Sequence, residues 1–191
     1  MTEAISWQSS LSDARQMAEK QDKPILIDWA DLPSCVGCVS LENTTYPNND
    51  VASYINKHFV PVQLNQSQNR NFFEGNKIFW TPTLTVCDQQ GQEQYRWVGY
   101  LPPEEFLPKV KLAHAWLAML SQEWIKAADI LNEVASIHSK SLVAPDALYW
   151  LGVAKWKASR DFTDLSKPWA DLMERYPRSE AALKASCLAL V

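Results

Sequence analysis

No run of apolar residues approaches the roughly 18 needed to cross a bilayer, so the sequence offers no membrane span. Positive charge is not in excess either: 18 Lys and Arg stand against 22 Asp and Glu, a formal net charge of −4. Nucleic-acid binders usually show a basic face, and this balance argues against one. The opening stretch "MTEAISWQSSLSDARQ" lacks a basic segment followed by an apolar run, so it does not read as a secretory leader. A cytoplasmic protein is the expectation. Structural disulfides are rare in that setting, and a close cysteine pair there is more often transient or catalytic.

A second cysteine pair is also missing. Cys35 and Cys38 form one Cys-x-x-Cys; Cys87 and Cys187 stand alone, and His58, His114 and His138 are scattered. Four-ligand zinc sites usually draw on two such pairs, so no metal is expected. Taken alone, the pair remains open to three readings: a redox centre, half a metal site, or ordinary packing.

What is present reads as globular. Hydrophobic residues make up 47% and charged residues 21% of 191, enough for one large domain or two small ones. Nine tryptophans imply large buried rings, an aromatic groove, or both.

The apolar spacing of Trp7, Leu11, Ala14, Met17 and Ala18 predicts a helix from Trp7 to Lys20, stopped by "DKP". "ILIDWA" (25–30) predicts a buried strand, and "FVPVQLN" (59–65) a second. Helix is expected over Val36–Glu42 and Asp50–Lys57, with a break around Pro47 and Asn48. Residues 66–80 read as a polar, irregular helix around an aromatic cluster. "TPTLTVCD" and "QYRWVGY", joined by the short "DQQGQE", predict a hairpin. Such alternation suggests an α/β sheet flanked by helices. From Pro102 strand signals vanish. Five helices are expected, over 103–120, 122–138, 144–159, 161–176 and 178–190, with Ser179 as an N-cap.

With these pieces in order, the front half resembles the thioredoxin-fold family over roughly residues 5–110. An apolar strand ends just before Cys-x-x-Cys, Thr81-Pro82 opens a later strand, and the hairpin ends in "VGYLPPEEF". The section after the cysteines is closest to a branch with an enlarged helical segment. The resemblance implies catalytic roles for Cys35 (nucleophile), Cys38 (resolving residue) and Asp28, a buried acid that helps move the proton of Cys38. A solvent-facing Asp28 at the strand end is the plainer alternative. The resemblance also implies a substrate groove at Thr81, Pro82 and Gly99, with Pro82 at the cis-proline position. Trp80, just before them, is a candidate substrate-facing ring, whereas Trp29 reads as core and Glu42 as an exposed helix charge.

The sequence departs from the family around the pair. Ser34 replaces the usual Trp, Val36-Gly37 replaces the frequent Gly-Pro, and Val39 stands where a basic residue often follows. No cation lies near Cys35 in sequence, while Asp28 and Asp31 are acidic, which works against a strongly lowered thiol pKa. A reductase, or a weak or specific exchanger, fits better than a strong oxidant.

The back half resembles tetratricopeptide repeats, with two helix pairs at a period near 34, Leu151-Gly152 in the second and Tyr176-Pro177 closing it. Domains are expected at 1–112 (thioredoxin-like) and 113–191 (helical repeat). The expected function is thiol–disulfide exchange on protein disulfides or dithiols, with a protein partner at the repeats. Electrons would come from another dithiol protein, with no bound cofactor. The competing expectation is a redox-inactive adaptor that binds proteins through the repeats.

Overall fold

The computed structural model describes residues 4–190; the first three residues and Val191, which the expected domain bounds include, lie outside the described residues. The chain divides into two compact units, one ending at Leu107 and the next starting at Pro108.

In the first unit, helix α1 (Leu11–Gln21) opens at Ser10, whose Oγ accepts from the Asp13 amide and donates to its carboxylate. That cap fixes the start four residues later than the periodicity from Trp7 suggests. Trp7 instead packs edge-on against Tyr46, with ring centroids 5.1 Å apart. Ala14 and Ala18 give α1 a smooth buried face, and Asp22, in the left-handed region, ends it.

Strand β1 (Ile25–Ala30) is buried along its whole length, as an inner strand with both faces covered must be. Among the described residues four strands form one sheet in the order β2-β1-β3-β4. β2 (Val60–Asn65) runs parallel to β1, pairing Asp28 with Gln63. β3 (Thr83–Cys87) runs antiparallel to β1 and β4 (Glu93–Val98) antiparallel to β3. Trp29 donates its indole N–H to Thr85 Oγ1 at 2.9 Å and packs edge-on against Phe73. The Asp88–Gln92 turn, with Gly91 at φ +81°, closes the expected hairpin.

Helices fill the connections. α2 (Val36–Ser40) continues directly into a π-helical turn, Leu41–Thr45. α3 (Asn49–His58) begins at Asn48, whose side chain accepts from the Asp50 and Val51 amides. Residues 66–75, expected as an irregular helical stretch, form α4 (Gln66–Gly75), capped by Asn65 and kinked at Asn69. Phe73 is its buried anchor, and Phe72 beside it also packs against Trp29.

α5 (Pro103–Leu120) follows the hairpin. In the second unit, α6 (Trp124–Ile137), α7 (Ala144–Ser159), α8 (Phe162–Arg175) and α9 (Glu180–Ala185) form a helical region of their own. Leu131, Val134, Leu148, Leu151 and Leu172 form its core, with Ala127, Ala147 and Ala154 keeping the helices close. Trp169 stacks on Tyr149 at 4.8 Å and donates to its carbonyl. Ser179 caps α9 as expected, accepting from the Ala182 amide.

Candidate active site

The site is built where β1 ends. Asp31–Ser34 turn the chain through a cis Leu32-Pro33 bond, and Asn65 at the end of β2 donates to the Leu32 carbonyl at 3.0 Å. Cys35 then caps α2. Its own amide donates to the Asp31 carbonyl at 2.8 Å, and its Sγ accepts from the Cys38 amide at 3.1 Å. A disulfide joins Cys35 to Cys38, with Cα atoms 5.3 Å apart. The two sulfurs differ in environment. Cys35 is half-buried, while Cys38 is 1% exposed and accepts from the Asp31 amide. An attacking thiol must be reachable and a resolving thiol need reach only its neighbour, so the asymmetry suits the two roles. The free N–H groups at a helix start favour a thiolate at Cys35 once the pair is reduced.

The start of β3 faces this pair. Thr81-Pro82 is cis, and the Thr81 carbonyl oxygen lies 3.3 Å from Cys35 Sγ. Gly99, at φ +98°, donates its amide to the Pro82 carbonyl at 2.8 Å. A Cβ added at Gly37 would lie 2.8 Å from Pro82 Cδ, in a ring with no room to swing aside. Gly37 is therefore the residue that lets the cysteine turn and the proline touch. Tyr100 and Thr44 join their hydroxyls at 3.1 Å, and Thr45 donates to the Leu101 carbonyl, tying the loop after β4 to the helical segment of the cysteines. Trp80 is 63% exposed and Val36 81%. Trp29 is core instead, 2% exposed.

Asp28 is 1% exposed, which excludes the solvent-facing reading. Its Oδ2 accepts from the Tyr46 hydroxyl at 2.8 Å and from Gln63 Nε2 at 3.0 Å; Oδ1 is buried with no hydrogen-bond partner. Burial pushes the carboxyl up to about 6, against the opposing pull of these two donors. Beside it, the Tyr46 phenol is held well above its ordinary range by burial and by the nearby carboxylate. Glu42 is half-buried rather than exposed, and Gln63 Nε2 also donates to its Oε1. Sequence reasoning missed Tyr46 and Gln63 as neighbours of Asp28. The one available signal was a glutamine inside the apolar run "FVPVQLN".

The remaining cysteines stand apart. Cys87 is buried in β3, where burial first, then Glu93 and Asp88, push its thiol up to about 12. Cys187 is exposed in the last turn of chain. Among the described residues no three or more His, Cys, Asp or Glu side chains gather as a metal site, and no helix is long and apolar enough to cross a membrane.

A reachable sulfur bonded to a buried one, at a helix start on a mixed sheet, is consistent with a dithiol–disulfide centre. The chain belongs to the thioredoxin-like family, whose pattern, described as a thioredoxin-like domain, matches residues 11–114. Among solved structures it is similar to a candidate disulphide isomerase from Bacteroides thetaiotaomicron, at 28% identity and a TM-score of 0.52, over 59% of this chain and 94% of that one. It is also similar in fold to a thioredoxin from Thermus thermophilus (15% identity, TM-score 0.50, 59% and 88% covered). The DsbH oxidoreductase gives a similar match (17%, 0.50, 58% and 85%). No curated protein matches the chain.

Proposed function

We propose that the protein is a thiol–disulfide oxidoreductase acting on protein disulfides, working as a reductase. The observation that carries this is the Cys35–Cys38 pair itself, half-buried at one sulfur and buried at the other, with the Thr81 carbonyl 3.3 Å from Cys35. In the reduced form the Cys35 thiolate attacks one sulfur of a substrate disulfide. A Cys35–substrate disulfide forms, and the other substrate sulfur leaves as a thiolate that takes up a proton. Cys38 then gives its proton to the Asp28 carboxylate and attacks the Cys35 sulfur. The mixed disulfide breaks, the second substrate thiolate leaves and is protonated, and Cys35–Cys38 is oxidised by two electrons. Another dithiol protein restores the reduced pair.

The backbone at Thr81, the ring of Pro82 and the turn at Gly99 form the groove for an extended substrate chain, with Trp80 against its side chains. The helices that follow, read as tetratricopeptide-like pairs from residue 113 onward, recruit a protein partner in the cytoplasm.

Equilibration in dithiothreitol or glutathione buffers, followed by alkylation and mass measurement, tests the reading. Cys35 and Cys38 should convert together, and the Cys38→Ser variant should hold substrate proteins in mixed disulfides. A pair that never interconverts defeats the proposal and leaves the redox-inactive adaptor.

A further inference from the structure

Gln63 has one amide nitrogen with two protons, and the structure gives both to carboxylates: Asp28 Oδ2 at 3.0 Å and Glu42 Oε1 at 2.5 Å. Its orientation is not interchangeable. A flipped amide would aim its carbonyl oxygen at two acceptors. Asp28 and Gln63 are register partners on neighbouring strands, so they share one face of the sheet. Glu42 comes from another element, four residues beyond Cys38 on the continuous helical segment 36–45. The cluster thus joins the acid of β1, the segment that carries the cysteines, and the half-exposed Glu42.

Charge in the cluster is uncompensated. The groups acting on Asp28 are Gln63, Tyr46 and Glu42, none of them cationic. From β3 its register partner is Leu84, which carries no charge. Oδ2 already accepts two hydrogen bonds, so a proton on Asp28 belongs on Oδ1, the buried oxygen with no partner. An anion at Glu42 disfavours a second anion at Asp28 and strengthens its hold on that proton.

We propose that Glu42 is a positioning residue for the resolving step: held through Gln63, its charge sets the pH above which Asp28 is free to take the proton of Cys38. This rests on the exchange reading above. In it Glu42 is not a surface charge but a remote setting on the cysteine pair, half-open to solvent and so to the charge of a docked partner.

The test is a charge series, Glu42→Gln and Glu42→Lys, read in two ways. Carboxyl carbon NMR on the oxidised full-length protein, where Cys35 and Cys38 do not titrate, follows Asp28 directly. Its midpoint should fall from the native protein to Glu42→Gln, and further in Glu42→Lys. Gln63→Met, which removes a donor from Asp28, should move it upward. Stopped-flow resolution of a preformed mixed disulfide should show its pH profile moving by the same amounts and in the same order. An unchanged carboxyl midpoint in well-folded Glu42→Gln overturns the coupling. A shifted midpoint with an unmoved resolution profile overturns the role in catalysis. Failure of the native protein to exchange at all overturns the parent reading, and this inference with it.

Discussion

Asp28 would be ionised in water at neutral pH, and the fold buries it with no cation beside it. The consequence for stability has a definite sign. With its carboxyl raised from 3.8 to about 6 by burial, the folded protein binds more protons than the unfolded chain between those values. Stability should therefore be full below about pH 4, fall as pH rises through about 6, and stay lower above, by about 3 kcal/mol at most. Asp28→Asn should erase this slope, matching the native protein near pH 4 and exceeding it at pH 7, as urea titrations at the two pH values will reveal. Gly37 makes the opposite kind of demand, for absence of a side chain. Gly37→Ala should cost about 1–3 kcal/mol by forcing the cysteine turn away from Pro82, and slow disulfide exchange as well. Denaturation midpoints and exchange rates on the same sample check both halves. Neither demand was legible in sequence. Gly37 stood out as a departure from the family pattern, but its reason sits at Pro82, 45 positions away. Asp28 was found by its position, whereas its burial depends on Tyr46 and Gln63, brought in by other elements.

Elements were read best where one signal decides them. β1 is a fully apolar run but for Asp28, and its bounds agree with expectation to the residue. The hairpin was plain in kind, fixed by its turn, though its strands are shorter or shifted at 83–87 and 93–98. The last helix, expected over 178–190, starts at its Ser179 cap but runs as α-helix only to Ala185 before tightening into a 3-10 turn. α1 starts at the Ser10 cap, and Trp7, ahead of it, packs on Tyr46 instead. The segment after Cys38 misled more deeply. Read as a plain α-helix it leaves Glu42 outside, whereas the π-helical turn at Leu41–Thr45 goes with a Glu42 that meets Gln63. In the second unit Gly152 stood out as part of the repeat-like Leu151-Gly152 pair, and its reason is local. A Cβ there would lie 2.9 Å from the Trp169 ring and 3.0 Å from the Leu165 carbonyl oxygen. Gly152→Ala should destabilise the helical region by about 1–3 kcal/mol. Gly75, the last residue of α4, has nothing within 4 Å of an added Cβ. Gly75→Ala should be neutral or stabilising, by up to about 1 kcal/mol. Thermal melts of the two variants side by side separate packing from propensity.

For the whole molecule, the thioredoxin-like fold was legible because distant signals agree in order: strand, cysteine pair, Thr-Pro, hairpin. The helical region was legible as helices by its periodicity, with Asp161 and Ser179 capping α8 and α9. A repeat needs several copies before its period outweighs chance, and the sequence suggests about two at most. If those helices recruit a partner, deleting residues 121–191 should leave exchange with a small disulfide within about two-fold. Capture of protein substrates by a Cys38→Ser background should drop far more. Circular dichroism of the truncated chain provides the check on folding.

The order of the sheet carries one more consequence. β4 is an outer strand, and an outer strand can template the sheet of another molecule. Here it is guarded. Arg96 pairs with Glu93 and donates to the carbonyl oxygens of Asn76 and Lys77, and the register with β3 shifts at Val86/Cys87. Charge and irregularity of this kind discourage stacking of sheets between copies. In the proposed reaction the protein must offer backbone to unfolded or flexible clients at Thr81 while refusing it at this edge. Resistance to co-aggregation with the chains it handles would thus be written into β4, well away from either cysteine in sequence.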